Sequence, residues 1–356
     1  MKILIPVIGF GRTGGYRVLS EFANAWIRQG HNVDFICLDC SDVPYFPTSA
    51  NIIRVDLKGK LSEPKSKEQK ATRWNHLRAL YMGLNALGAQ YDVILANHSL
   101  TAWPVALAKC GQAKKLYYVQ AYEPEYYTSA GNLRGYVFAL GSALTYHLGL
   151  KKVVNSPIYF KYKNLRASFF VPPGLDLQIF KPSESKEPLA NADSIVIGCI
   201  GRNEPEKGTI YVLRAFEELC KNDPRFKLRI AAFGTLPDGW EHEKCESVVP
   251  KNDRELAEYY RSLDILIAPG TVQHGAPHYP VLEAGACGIP VVTPGYMGAT
   301  TETAWIVRNK DVDSIKTAVL DISASSEQRL EKTQRFLANI AYYSWDNVAR
   351  QMATLF

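Results

Sequence analysis

The sequence predicts an α/β protein of two βαβ domains facing one another across a cleft, and three observations carry that expectation. The chain has 356 residues, more than one hydrophobic core ordinarily serves, so two domains of common size are expected. A strand-length apolar run followed at once by a glycine-bearing turn and an amphipathic helix occurs twice, from Lys2–Ile8 and again from Ile195–Ile200. Each is the opening of a Rossmann-like unit. Between them lie a segment with two prolines and a glycine, Pro172-Pro-Gly174, and the polar run Ser183–Ser194, the composition of a stiffened connection. The expected division is therefore residues 1–172, a linker over 173–194, and a second domain over 195–343.

In the first half, the strand Lys2–Ile8 leads into Gly9-Phe-Gly11-Arg-Thr-Gly14-Gly15, and a helix follows over about Tyr16–Gln29 with Val18, Leu19, Phe22, Ala23 and Trp26 at helical spacing. Glycines at a first βα turn let backbone N–H groups approach a phosphate or sugar closely. Gly9-x-Gly11-x-x-Gly14, with Asp39 after the second strand Val33–Leu38, also satisfies the dinucleotide fingerprint. An NAD(P)-dependent oxidoreductase is thus one reading of this stretch. The lysine-rich segment 58–73 is expected to be a mobile surface loop. A helix is expected over Trp74–Leu87, a strand over Asp92–Ala96 with Asn97-His98-Ser99 as its exit, and a strand over Leu116–Val119 ending in Gln120-Ala-Tyr-Glu123. Strand exits form the ligand edge of an open α/β sheet. His98, Gln120 and Glu123 are accordingly candidates for recognising sugar hydroxyls; a hydrogen-bonded structural histidine and solvated loop residues are the alternatives.

The second half places Gly201-Arg202-Asn-Glu-Pro-Glu-Lys207-Gly208 between its first strand and a helix over about Thr209–Cys220. Two cations beside a helix start bind a diphosphate by charge-assisted hydrogen bonds and the helix dipole. Further on, the strand Asp264–Ala268 is ended by Pro269-Gly270, and Gly275, Pro277 and Pro280 forbid regular structure before Val281. Pro280 suits the first helical position, which puts Glu283 in the first turn. That carboxylate either reaches a crevice or caps its own helix. His274 and His278 are four apart, but Pro277 between them argues against a shared helical face and so against metal ligation. No Asp-x-Asp pair suggests a metal-bound diphosphate. Helices are expected over about 313–322 and 327–341.

Composition excludes several classes. With 47% hydrophobic and 21% charged residues the chain is globular. Seven cysteines scattered through strands and helices argue for a reducing, cytoplasmic setting, and the lone Cys37-x-x-Cys40 reads as buried structural thiols. No signal peptide is expected, and no run reaches the roughly 18 apolar residues of a membrane span. The net charge of +6 is uneven: no acidic residue lies between Glu125 and Asp176, while Arg134, Lys151, Lys152, Lys161, Lys163 and Arg166 do. Within that basic segment, 134–166, Tyr136–Leu150 carries no charged residue. It is either an interfacial helix meeting anionic headgroups or a core helix with a basic exit. No motif or second basic cluster supports nucleic-acid binding.

The stretch Tyr279-Pro-Val-Leu-Glu283-Ala-Gly-Ala-Cys-Gly-Ile-Pro-Val-Val292 resembles the signature of the family 4 glycosyltransferases, retaining enzymes that move a sugar from a nucleotide-sugar donor. Most members carry two glutamates with seven residues between them; here Gly275 occupies the first position. The wording Tyr-Pro-x-Leu-Glu, together with YYVQAYEPEYY around Gln120, is similar to a sub-branch containing bacterial rhamnosyltransferases of surface-polysaccharide assembly, which also lacks the first glutamate. Gly-Arg-x-x-x-x-Lys-Gly resembles the family's leaving-diphosphate site, Pro172–Pro182 its interdomain segment, 248–264 the stretch that frames the base, and Tyr343-Ser-Trp345 onward the closing helix that packs back on the first domain. The resemblance implies the B-type glycosyltransferase fold, with acceptor on the N-terminal side and donor on the C-terminal side. It implies catalytic roles for Arg202, Lys207 and Glu283, the last at donor ribose hydroxyls, and donor contacts at Gly14, Gly15, Gly201, Gly208, Thr271, Tyr279 and Leu282. It implies neither metal nor cofactor beyond the nucleotide-diphosphate sugar. The acceptor would be a glycan or lipid-linked molecule of bacterial cell-surface synthesis, and a deoxy sugar such as rhamnose would suit the missing glutamate. The enzyme would be cytoplasmic, peripheral on the inner membrane face. The oxidoreductase alternative leaves Arg202, Lys207 and Glu283 unexplained; a non-catalytic carbohydrate-binding relative is motivated by Gly275.

Overall fold

The computed structural model describes residues 1–11, 13–65, 72–129, 131–183, 192–232 and 234–356. Part of the expected mobile loop, 66–71, and most of the expected polar linker, 184–191, lie outside the described residues. The chain divides into two units, one of residues 1–174 with 345–356 and one of residues 175–344.

The first unit runs β1 (Lys2–Pro6), α1 (Gly14–Arg28), β2 (Asn32–Leu38), β3 (Asn51–Val55), α2 (Arg73–Leu87), β4 (Val93–Ala96), α3 (Ser99–Leu107), β5 (Lys114–Val119), α4 (Glu123–Thr128), α5 (Leu133–Thr145), β6 (Lys151–Val154) and β7 (Phe169–Phe170). Its seven strands lie in the order β3-β2-β1-β4-β5-β6-β7, with every pair parallel. Helices cover both faces, so Ile3, Leu4 and Ile5 of β1 and all of β4 are buried, as the near-continuous apolar runs require. The order reverses between β1 and β4. A crevice opens at such a switch point, outside the carboxyl ends of the strands.

The second unit runs β8 (Ile195–Gly201), α6 (Thr209–Asn222), β9 (Phe226–Ala232), β10 (Cys245–Val248), α7 (Asp253–Arg261), β11 (Ile265–Ile267), α8 (Tyr279–Ala286), β12 (Val291–Thr293), β13 (Trp305–Ile306), α9 (Val312–Ala324) and α10 (Ser326–Ile340). The parallel order is β10-β9-β8-β11-β12-β13, with the switch between β8 and β11. Strand alternation sorts the core: Ile195, Ile197 and Cys199 pack with α6 and α9, while Val196 and Ile200 turn to the other face with α7, α8 and α10. The last helix, α11 (Trp345–Ala353), belongs to the first unit. Trp26 donates its indole N–H to Ala349 O at 3.0 Å, and Arg28 pairs with Asp346 at 2.7 Å.

Several expectations change in detail. The start of the expected linker is built into the second unit, because Leu175 donates its N–H to Tyr343 O at 2.6 Å and Phe180 is buried. The edge strands β3 and β13 were not foreseen. Asn97–Ser99 is a helix start as well as a strand exit, with His98 as the N-cap of α3. The uncharged segment forms a helix over Leu133–Thr145 only, and of the lysine pair after it Lys151 is exposed while Lys152 is buried. Lys151 Nζ donates to Leu355 O, and the buried Lys152 donates to Leu148 O and Leu150 O at 3.1 and 2.9 Å. All seven cysteines are free, and burial pushes the Cys37 thiol up to about 11, so it is a packing group and not a thiolate.

Candidate functional site

At the switch point of the second unit the exits of β8 and β11 are tied together. Gly208 adopts φ +72°, and a Cβ there would lie 2.4 Å from Pro269 O, so glycine is required by conformation and by space alike. Thr271 donates its N–H to Glu206 O at 2.9 Å, and its hydroxyl reaches the same oxygen at 3.3 Å. The Arg202 N–H donates to Thr209 Oγ1 at 3.0 Å, fixing the start of α6 beside the arginine. The N-cap of α6 is Gly208, which has no side chain to accept from the first turn, so its positive end is left for an external anion.

Lys207 is exposed beside this helix start, and among the described residues its ammonium has no hydrogen-bond partner. Arg202 is already engaged: its Nε and Nη2 donate to the two oxygens of Glu204 at 3.2 and 2.8 Å. That fork holds the Glu204 carboxyl down to about 2, assisted by backbone hydrogen bonding and the nearby Lys207, and raises the arginine in turn. A carboxylate thus occupies the guanidinium geometry that a phosphate would use.

On the β11 side, His274 and His278 both pack on the Tyr296 ring, with centroids 5.5 and 4.5 Å away. Tyr296 donates its hydroxyl to Val272 O at 2.8 Å, and Gly275 its N–H to Gly295 O at 2.6 Å. Burial, with Lys207 nearby, lowers the His278 imidazole to about 3, so it stays neutral. Glu283 is the fifth residue of α8, not a first-turn residue, and is 2% exposed. It accepts the Tyr260 hydroxyl of α7 at 2.9 Å. The helix starts one residue earlier than expected, at Tyr279, with Pro280 second.

In the first unit, the uncapped start of α1 carries Gly14 and Gly15, and Gln120 at the exit of β5 donates to Gly15 O at 3.4 Å. A Cβ on Gly15 would meet that same amide, so the small residue admits Gln120 to the helix start. Glu123 opens α4 and is enclosed. It accepts the Ser99 N–H at 2.9 Å, the Ser99 hydroxyl at 2.5 Å, the Tyr117 hydroxyl at 3.2 Å and the Ser142 hydroxyl at 3.4 Å. His98 Nδ1 accepts from the Leu100 N–H, which leaves its Nε2 proton facing Glu123 at 3.5 Å.

Residues 194–325 match the family described as glycosyl transferases group 1. Over that span the chain is similar to a group 1 glycosyl transferase domain. Curated relatives of the chain include the D-inositol 3-phosphate glycosyltransferase of Corynebacterium urealyticum, 26% identical over 52% of this chain and 50% of that protein. Another is the GDP-mannose-dependent alpha-(1-6)-phosphatidylinositol monomannoside mannosyltransferase of Mycolicibacterium smegmatis, 28% identical over 43% and 46%. The chain spans about half the length of the curated relatives it matches. Sucrose-phosphate synthase from Thermosynechococcus elongatus superposes with a TM-score of 0.75 at 18% identity, covering 99% of this chain and 98% of that one. That likeness shows the fold, the B-type glycosyltransferase fold of two Rossmann-like units.

Within residues 194–325 the structure brings Arg202, Lys207, Gly208 and Thr271 to one pair of joined loops. It does not bring every named residue to a surface. Leu282 is fully buried and its N–H is spent on His278 O. Gly201 is glycine because a Cβ would sit 2.5 Å from Ile230 and 2.9 Å from Leu236, a packing reason. Glu123 is a structural hub, neither a solvated residue nor an open ligand. Sequence reasoning passed over Glu204, Tyr260 and Tyr296. Glu204 was readable, since a carboxylate two residues from Arg202 on one turn can pair with it; the tyrosines are joined to the site only by folding.

Glu204→Gln is expected to tighten nucleoside-diphosphate binding several-fold, because removing a competing anion at an exposed pair is worth about 0.2–1 kcal/mol. The wild-type carboxylate stays ionised above about pH 2, so the gain should persist across pH 5–8. Isothermal titration gives the comparison, and weaker binding in the glutamine variant would make Glu204 a support for Arg202 and not its competitor.

Proposed function

We propose that the protein is a retaining glycosyltransferase that moves a sugar from a nucleotide-diphosphate donor to a glycan or lipid-linked acceptor in bacterial cell-surface synthesis. One observation carries the reading: an arginine, a lysine and the uncapped start of α6 converge where the exits of β8 and β11 are tied together. As the glycosidic bond breaks, negative charge gathers on the leaving diphosphate. Fixed donors and cations aimed at that charge lower the barrier without reorganising. In this reading Arg202 and Lys207 neutralise the phosphates, the first N–H groups of α6 receive their oxygens, and Thr271 and Tyr279 border the donor. The diphosphate needs no metal where two cations and a helix dipole serve it. Glu283 would take ribose hydroxyls by exchanging its Tyr260 hydrogen bond for them. Gly14 and Gly15 offer donor-facing backbone, with Gln120 and the His98 region on the acceptor side. A deoxy sugar fits Gly275, which offers no carboxylate to a sugar hydroxyl. Seven free cysteines suit a cytoplasmic setting.

The oxidoreductase reading is weakened by Asp39, the residue it needs at a ribose. Asp39 Oδ2 accepts the Ser62 hydroxyl at 3.1 Å and pairs with Lys65 at 2.7 Å. A thermal-shift panel with UDP, dTDP, GDP, ADP, NAD and NADP separates the readings, because a ligand that binds only the folded state raises its apparent stability. One nucleoside diphosphate should stabilise the protein, and Arg202→Ala should remove the response. Stabilisation by NAD or NADP alone would overturn the transferase. Nucleotide binding without transfer or hydrolysis of the intact donor would favour a non-catalytic relative.

A further inference from the structure

The loop between β11 and α8 sets two histidines against one tyrosine ring, and only one of the two is spent on the protein itself. Tyr296 is fixed in place: its hydroxyl donates to Val272 O at 2.8 Å, and a Cβ on Gly270 would lie 2.4 Å from that hydroxyl, so the glycine makes room for it. The loop is also pinned to the exit of β12, where Gly275 donates its N–H to Gly295 O at 2.6 Å and Met297 its N–H to Ala276 O at 3.1 Å. His274 Nε2 donates to Gly270 O at 3.1 Å and so ties the loop to itself. His278 packs closer on the same ring, with centroids 4.5 Å apart and planes at 32°. As the N-cap of α8 it makes no capping hydrogen bond, and among the described residues neither ring nitrogen has a partner. Packing alone does not account for an imidazole here, since an apolar ring would stack on Tyr296 as well and leave no nitrogen unpaired.

The surroundings decide what the ring can do. Nδ1 is closed off from solvent, and an N–H stranded there would cost more than an unused lone pair, so the proton belongs on Nε2. Burial and the Lys207 charge keep the ring neutral. The same lysine selects the ligand. A metal ion would be repelled by the ammonium, and no group of three metal-ligating side chains lies among the described residues. An anionic oxygen, by contrast, can take a hydrogen bond from Nε2 and the charge of Lys207 together. The two side chains sit on joined loops, because Thr271 donates its N–H to Glu206 O at 2.9 Å. Arg202, Lys207 and the start of α6 already supply the positive charge that a diphosphate requires. A neutral donor adds direction without a third cation to hold the product.

We propose that His278 is a further donor-binding residue, giving its Nε2 proton to a phosphate oxygen that Lys207 neutralises. The inference rests on the transferase reading and adds the residue that orients the leaving diphosphate. The test titrates the full chain with UDP, dTDP, GDP and ADP in the wild type, His278→Phe and His278→Gln. His278→Phe keeps a ring on Tyr296 and should bind the wild type's preferred nucleotide about ten- to a hundredfold more weakly, the scale of one hydrogen bond to a charged group. His278→Gln places an amide N–H near the Nε2 position and should recover most of that loss. Unfolding temperatures close to the wild type would show both variants folded. A second readout does not depend on their folding. Long-range 15N–1H spectra report which ring nitrogen carries the proton, and with seven histidines in the chain the signal missing from His278→Gln can be assigned. The proton should lie on Nε2 in the free wild type, and that nitrogen should shift when the nucleotide is added. A wild type that binds none of the four nucleotides would remove the transferase reading and this inference with it. Binding that His278→Phe leaves unchanged, or a proton found on Nδ1, would overturn the role of His278 alone and leave the transferase reading standing.

Discussion

Arg202→Ala and Lys207→Ala are each expected to cut sugar transfer by roughly two to three orders of magnitude, the scale of losing one preorganised group at a developing oxyanion. The structure gives the two residues different starting points. Arg202 begins paired with Glu204 and in the proposed mechanism exchanges that carboxylate for a phosphate, one oxyanion for another on the same fork of donors. Lys207 begins exposed, with no partner for its side chain to give up among the described residues. Arg202→Lys should therefore rescue little, because a point charge cannot reproduce the bidentate geometry. Lys207→Arg should retain more activity. Both alanine variants should unfold at the wild-type temperature, since neither side chain is part of the core. Rates within about fivefold of wild type in both would remove the diphosphate site from the mechanism.

Gly208→Ala is expected to destabilise the second unit by about 2–5 kcal/mol. Two penalties combine: a left-handed residue with a Cβ costs about 1–2 kcal/mol, and overpacking against a fixed neighbour costs about 1–3 kcal/mol. The neighbour cannot yield easily, because Pro269 O sits 2.4 Å from the added atom on a loop pinned through Thr271 to Glu206. For a unit of this size the thermal midpoint should fall by roughly 5–15 °C. Gly30 provides the control, with φ +82° and nothing within 4 Å of its Cβ. Gly30→Ala should show only the conformational cost of about 1–2 kcal/mol. Equal shifts for the two alanine variants would mean that the loop contact at Pro269 gives way.

Much of the scaffold was legible because it rests on local pattern. Strand-length apolar runs from Lys2 and Ile195, glycine turns behind them and the helical spacing of Val18, Phe22 and Trp26 follow from chain geometry alone. Gly-Arg-x-x-x-x-Lys-Gly was legible for the same reason, since its cations and helix start are neighbours along the chain. Glu283 was read only in part. Its place on a helix was evident, but its depth depends on Tyr260, 23 residues earlier.

The sequence by itself determined the two α/β units, the parallel strands and the cations at the first turn of the second unit, because each is encoded in residues a few positions apart. Tertiary structure alone decided which polar groups remain open to a ligand. Glu123 is closed by serine and tyrosine hydroxyls from three other elements, Lys152 is buried on two carbonyls, and α5 is turned apolar side out by a glycine contact with α4. Hydrogen-bond saturation and close packing join residues distant in sequence, and no local spacing records them.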